Sequence, residues 1–272
     1  MSDVLTITHP DTGKTFKLGR TRPLAMGPHL SLGNYLLRKF PAAPAATDYS
    51  LKPLTFLENV LGNDVSGCCT CAAAFHIGGV LLSNSDQAIP FSTSDVQSLY
   101  KKLSGWNGIE DDPSDTGLSE QQVFNYWMKF GLMPSSAPNP HQITGYVAVD
   151  GSDNGEVKSA LWLFENVYFA LNLPTAWINP MPSANGFLWD VAGMADPDAG
   201  HAFCGVGYNA DGVIVDTWGM LGLMTWAAIA KYGSVYAVLG PDAINRGSLL
   251  APNGFNWTQL VSDFQSMGAV EQ

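Results

Sequence analysis

Asn63-Asp64-Val65-Ser66-Gly67-Cys68-Cys69-Thr70-Cys71-Ala72-Ala73-Ala74-Phe75-His76 opens an apolar run that continues to Leu82. A polar, glycine-containing lead followed by an alanine-rich run predicts a helix that begins at Cys69. The first N–H groups of a helix have no intrahelical partner and carry the positive end of its dipole, so a cysteine placed there is biased toward the thiolate. Far downstream, Gly200-His201-Ala202 and Asp216-Thr217-Trp218-Gly219 each lie among β-rich residues. Strands are predicted at His201 to Tyr208 and Val213 to Thr217. The turn Asn209-Ala210-Asp211-Gly212 joins them as a hairpin and sets a histidine on one strand against a carboxylate on the other.

The gap from Cys69 to His201 is 132 residues and the gap from His201 to Asp216 is 15. In this order and spacing the chain resembles the papain-like cysteine peptidases, in which a histidine follows the helix-opening cysteine by roughly 130–150 residues. The resemblance implies Cys69 as nucleophile, His201 as base, Asp216 as the group orienting the imidazole, and Trp218 as the indole shielding that contact. Asn63, six residues before Cys69, stands where the family has its oxyanion-hole glutamine. Gly67 and Cys68 fall beside the substrate. Leu118-Ser119-Glu120-Gln121-Gln122 and Val167-Tyr168-Phe169-Ala170-Leu171 are similar to two further family segments. Departures are Thr70 in place of tryptophan, Ser66 in place of a disulfide cysteine, the shorter Asn63, and Asp216 in place of asparagine.

With 272 residues, 46% of them hydrophobic, the chain can bury a full core. Its 13 lysines and arginines against 24 acidic residues give a net charge of −11. That balance offers no footprint for nucleic-acid phosphates or an anionic membrane surface. The N-terminus lacks the basic and apolar regions of a signal peptide, and no apolar stretch reaches spanning length. The expectation is cytoplasmic synthesis, with release by lysis, by a non-classical route or with a virus particle. Cys68, Cys69, Cys71 and Cys204 do not make a disulfide scaffold and read as free thiols. Three cysteines crowded within one helical turn diverge by about 100° per residue, which argues against a metal site with His76 and Cys204. Neither metal nor organic cofactor is expected.

The predicted fold is α+β, two-lobed and papain-like, with a helical lobe carrying the Cys69 helix packed on an antiparallel sheet or barrel. Residues 1–50 read as a hairpin and an extended arm with a short helix near Leu32 to Phe40. Residues 51–240 read as the catalytic domain and 241–272 as an extension bearing an amphipathic helix from Asn256. The arm could lie across the groove in the manner of a proregion or wrap the helical lobe. Helices are predicted at Ser94 to Leu103, Ser119 to Phe130 (capped by Ser119 and Gln122), Asn154 to Phe164 and Thr225 to Tyr232. Further strands are predicted at Tyr146 to Val149, Val167 to Leu173 and Val235 to Leu239. Gly108 to Gly117 reads as a solvated acidic loop, and Pro174 to Ala199 as a loop walling the groove.

Together these readings predict hydrolysis or acyl transfer at a peptide amide through an acyl-thioester on Cys69. Two alternatives stay open. One is a cell-wall amidase or endopeptidase similar to the NlpC/P60 group, acting on peptidoglycan; the other is an inactive interaction protein of a virus particle. A protein partner would use the N-terminal arm or the C-terminal helix.

Overall fold

The computed structural model describes residues 4–23, 30–34, 42–241 and 262. Strands β1 (Leu5–Thr8) and β2 (Thr15–Leu18) form the expected hairpin. Strands β3 (Leu30–Ser31) and β4 (Thr47–Asp48) precede a short helix α1 (Leu54–Leu57). The helical lobe follows: α2 (Cys69–Asn84), α3 (Thr93–Ser104) and α4 (Glu120–Phe130). The other half contains β5 (Gly145–Val149), α5 (Asn154–Phe164), β6 (Val167–Pro174), α6 (Thr175–Ile178) and β7 (Phe187–Trp189). It closes with β8 (Ala195–Tyr208), β9 (Gly212–Thr217), β10 (Met220–Thr225), α7 (Trp226–Tyr232) and β11 (Val235–Leu239). Leu32–Asn34 makes one 3-10 turn; the rest of the helix expected to Phe40, and all but Ser262 of the helix expected from Asn256, lie outside the described residues.

Local chemistry sets the helix ends. Both α3 and α4 begin with a capping box, Ser92 with Asp95 and Ser119 with Gln122, and α3 stops at left-handed Gly105. Helix α2 has no polar face to expose: from Cys69 to Leu82 every residue is buried. Its small residues let neighbours press close, since a Cβ on Gly79 would meet the Phe56 ring at 2.5 Å. Such an all-round apolar helix belongs in the interior of a lobe.

Among the described residues one mixed sheet runs in the order β3-β5-β11-β6-β8-β9-β10-β7, with β4 paired to β8. Most neighbours are antiparallel; β3 with β5 and β7 with β10 are parallel. Its middle strands separate two cores, which is why β6 and β8 read as continuous apolar runs and not as alternations. On one face Phe169 and Phe203 stack with centroids 5.0 Å apart among Trp177, Trp189 and Val215. On the other, Tyr168, Ala170, Ala202 and Cys204 pack against α2 and α4 through Phe75, Phe124 and Trp127. Two segments depart from expectation: β8 starts six residues before His201, and the supposed loop from Pro174 contains α6 and β7. Trp177 and Trp189, stacked at 4.7 Å, pull that stretch into the core. No helix among the described residues is long and apolar enough to cross a membrane.

Candidate active site

Cys69 is the first residue of α2, where the sequence placed it, and is 1% exposed. The backbone N–H groups of Ala202, Gly19 and Thr70 lie at its sulfur. Helix α2 therefore meets β8 at the residue that follows His201. Burial pushes the Cys69 thiol up to about 11, against the pull of those N–H groups and of nearby Arg20. His201 is also 1% exposed, and burial alone holds its imidazole down to about 3. In this conformation both groups are neutral near pH 7.

The imidazole is gripped on one edge and one face. Nε2 is 2.8 Å from Thr217 Oγ1, and the Trp218 indole stacks on the ring at 4.7 Å between centroids. Nδ1 has no hydrogen-bond partner among the described residues. The orienting contact expected from Asp216 is not formed: its Oδ2 accepts from His76 Nδ1 at 2.9 Å and lies 3.8 Å from Cys204 Sγ. Sheet parity explains the correction. Asp216 stands opposite Cys204 and shares its face, whereas His201 and Phe203, odd steps from Cys204, occupy the other face with Thr217.

Asn63 is likewise redirected. Its amide donates to Lys17 O at 2.8 Å and to Ser66 O at 3.2 Å, so both N–H bonds are taken. Gly67 N–H is held by Asp115 at 3.1 and 3.0 Å, and Asp115 in turn accepts from the Tyr100 hydroxyl. Asp115 is 7% exposed, so the acidic loop is not wholly solvated; one of its carboxylates is the internal brace of the cysteine turn. Nothing in its local sequence separates it from Asp111 or Asp112. Cys68 does not face the cleft: its sulfur sits 3.7 Å from Leu61 O and 3.6 Å from Gln97 Nε2, inside the helical lobe. Donor atoms of His76, Cys204 and Asp216 lie within 4.8 Å of one another, close enough to hold a cation, although the His76–Asp216 pair already joins two of them.

Between the lobes runs the N-terminal chain. Arg20 pairs with Leu118 as a parallel bridge: Leu118 N–H donates to Gly19 O at 2.9 Å and Thr21 N–H to Leu118 O at 2.9 Å. On the opposite wall Arg20 N–H donates to Gly200 O at 3.0 Å, one residue before His201. The fit is backbone to backbone, since a Cβ on Gly19 would fall 1.9 Å from Gly67 O and one on Gly200 2.0 Å from Arg20 O. Residues 17–21 thus occupy the groove directly over Cys69. The sequence offered an arm that could cross the groove, and the crossing is made by the end of the hairpin and the first residues after it, Arg20 and Thr21.

The same overall fold is found in several solved cysteine proteases. Xylellain, a cysteine protease from Xylella fastidiosa, superposes with a TM-score of 0.60 at 15% identity, covering 88% of this chain and 98% of its own. The fold is papain-like. Procathepsin L2 from the larval midgut of Tenebrio molitor gives a TM-score of 0.58 at 13% identity over 87% and 84% of the two chains. The Carica candamarcensis cysteine protease CMS1MS2, solved with E-64, gives 0.50 at 13% identity over 72% and 99%. No protein-family model and no curated protein sequence matches the chain. The papain-like fold is therefore carried by packing and topology with little sequence in common.

Proposed function

We propose that the protein is a cysteine peptidase that cleaves peptide amides through an acyl-thioester on Cys69, held covered here by its own residues 17–21. One observation carries this reading: an extended peptide strand already lies between the lobes, hydrogen-bonded to both walls, with the Gly19 N–H at the Cys69 sulfur. A groove that binds backbone this way binds any extended peptide by strand addition. Procathepsin L2 and the ragweed pollen cysteine protease Amb a 11 in its proform are among the similar solved structures.

In the proposed cycle the covering strand leaves and water reaches the site. His201 donates Nε2–H to Thr217 Oγ1, which leaves the Nδ1 lone pair to take the Cys69 proton. The thiolate then adds to the scissile carbonyl carbon. The C–N bond breaks as the imidazolium returns the proton to the departing amine, and water hydrolyses the thioester with His201 again as base. Thr217 takes the positioning role that the resemblance implied for Asp216. Departure of Lys17 frees one N–H of the Asn63 amide, which then serves the oxyanion together with the Cys69 N–H.

The test is turnover of peptide amides, with casein and purified peptidoglycan assayed in parallel to assign the substrate class. Cys69→Ala should remove both turnover and labelling by a thiol-directed electrophile. Undiminished turnover in that variant would refute the reading. A second reading, an inert papain-like module, is favoured by the neutral states of Cys69 and His201 and the diversion of Asp216. It predicts that no thiol of the folded protein reacts even after the strand is displaced.

A further inference from the structure

Arg20 does more than cross the groove. Its side chain is 8% exposed and enters a pocket beside Cys69, where Nε donates to Glu120 Oε2 at 3.0 Å and Nη2 to Glu120 Oε1 at 2.9 Å. Nη1 reaches Asn172 Oδ1 at 3.4 Å. The Glu120 side chain is 2% exposed and sits on the first residue of α4, where a helix terminus favours negative charge. Asn172 is fixed as an acceptor toward the pocket, because its Nδ2 is spent on Asp196 O at 2.9 Å and Pro197 O at 2.6 Å. The three side-chain oxygens that meet the guanidinium are therefore acceptors, and the two of Glu120 form the fork that it matches bidentately.

We infer that this pocket selects an arginine side chain in the peptide substrate, with Glu120 as the specificity-determining residue and Arg20 as its resident occupant. A peptide without a cation there would leave a buried carboxylate unpaired, a loss the site cannot make good. Lysine satisfies the charge but not the fork, and so ranks between arginine and leucine. The inference rests on the peptidase reading for its use in catalysis, but the pocket makes a binding prediction of its own.

The full-length Arg20→Ala protein vacates the pocket and weakens the hold of its own strand, so that an added peptide competes with residues 17–21 for the groove. Binding to it of a fluorescent peptide spanning residues 17–22 is compared with the same peptide carrying Arg20→Leu, and cleavage of peptide amides is scanned with Arg, Lys, Gln, Leu or Glu along their length. The expected preference for Arg over Leu is about 10²-fold in affinity, and in kcat/KM at one position. The preference should collapse in the Arg20→Ala, Glu120→Gln double variant and turn toward Glu with Glu120→Lys. Equal affinity for the Arg and Leu peptides would overturn the inference, even if neither Glu120 variant folds. Selective binding without cleavage would sink the peptidase reading and leave the pocket standing. Cleavage indifferent to arginine would do the reverse.

Discussion

Replacing Gly19 by alanine should uncover the thiol. The new Cβ would lie 1.9 Å from Gly67 O and 2.4 Å from Gly67 C, both backbone atoms that cannot swing aside, so the strand itself must lift. Lifting sacrifices the bonds from Leu118 N to Gly19 O, Thr21 N to Leu118 O and Arg20 N to Gly200 O. At about 1 kcal/mol net for each, the covered state loses roughly 3 kcal/mol, or about 150-fold in the equilibrium for opening. A buried thiol reacts only from the open state in either protein, so the ratio of alkylation rates reads that equilibrium directly. Residue-resolved mass spectrometry after iodoacetamide pulses should show Cys69 labelling about 10²-fold faster in Gly19→Ala. Cys71 and Cys204, buried in the helical-lobe core, serve as internal controls and should stay at wild-type rates. A Cys69 rate within threefold of wild type in a folded variant would refute the covering role of residues 17–21. Equal acceleration of all the cysteines would mean global unfolding and refute it as well.

Other consequences follow from the same contacts. Thr217→Val removes the partner of His201 Nε2 while keeping the side-chain shape, and should lower kcat by about 10²-fold with KM nearly unchanged. Asp216→Ala breaks a buried pair with His76 and should cost about 3 kcal/mol in urea unfolding. Turnover per folded Asp216→Ala molecule should fall less than threefold, and an effect as large as that of Thr217→Val would restore Asp216 as the orienter. The His201 imidazole is held down to about 3 from an ordinary value of 6.5, so between those limits the unfolded chain binds the proton and the folded chain does not. Stability should therefore be fully present above pH 6.5 and decline toward pH 3 by about 1.4 kcal/mol per pH unit from this residue. His201→Gln should flatten that part of a pH series of denaturation midpoints, and an unchanged slope would show that the ring is not sealed.

The legible part of this protein was local. Helix α2 announced itself through Gly67 and the small apolar residues behind Cys69, α3 and α4 through their caps, and the β8–β9 hairpin through Asn209 to Gly212. The misplacement of Asp216 has a definite cause. A regular hairpin closed by the Tyr208–Val213 pair would set Asp216 opposite Gly205, four residues from His201 and on its face. The strand instead carries a bulge between Gly205 and Gly207, so Asp216 pairs with Cys204 and every side chain beyond changes face. One inserted residue hands the histidine to Thr217 and the carboxylate to His76. Glycines flank Val206, but no sequence rule says that a bulge must form there.

Sequence alone determined the papain-like fold class, the place of Cys69 at the start of a helix and that of His201 on a strand, because dipoles, caps and hairpin turns act over a few residues. Only the tertiary structure decided which side chain steadies His201, what occupies the groove above Cys69, and that Glu120 faces Arg20. Those outcomes depend on register and on backbone-to-backbone fit between segments 100 or more residues apart, as between Arg20 and Glu120. No local propensity encodes such a meeting, since it exists only once two lobes have packed and left a slot between them.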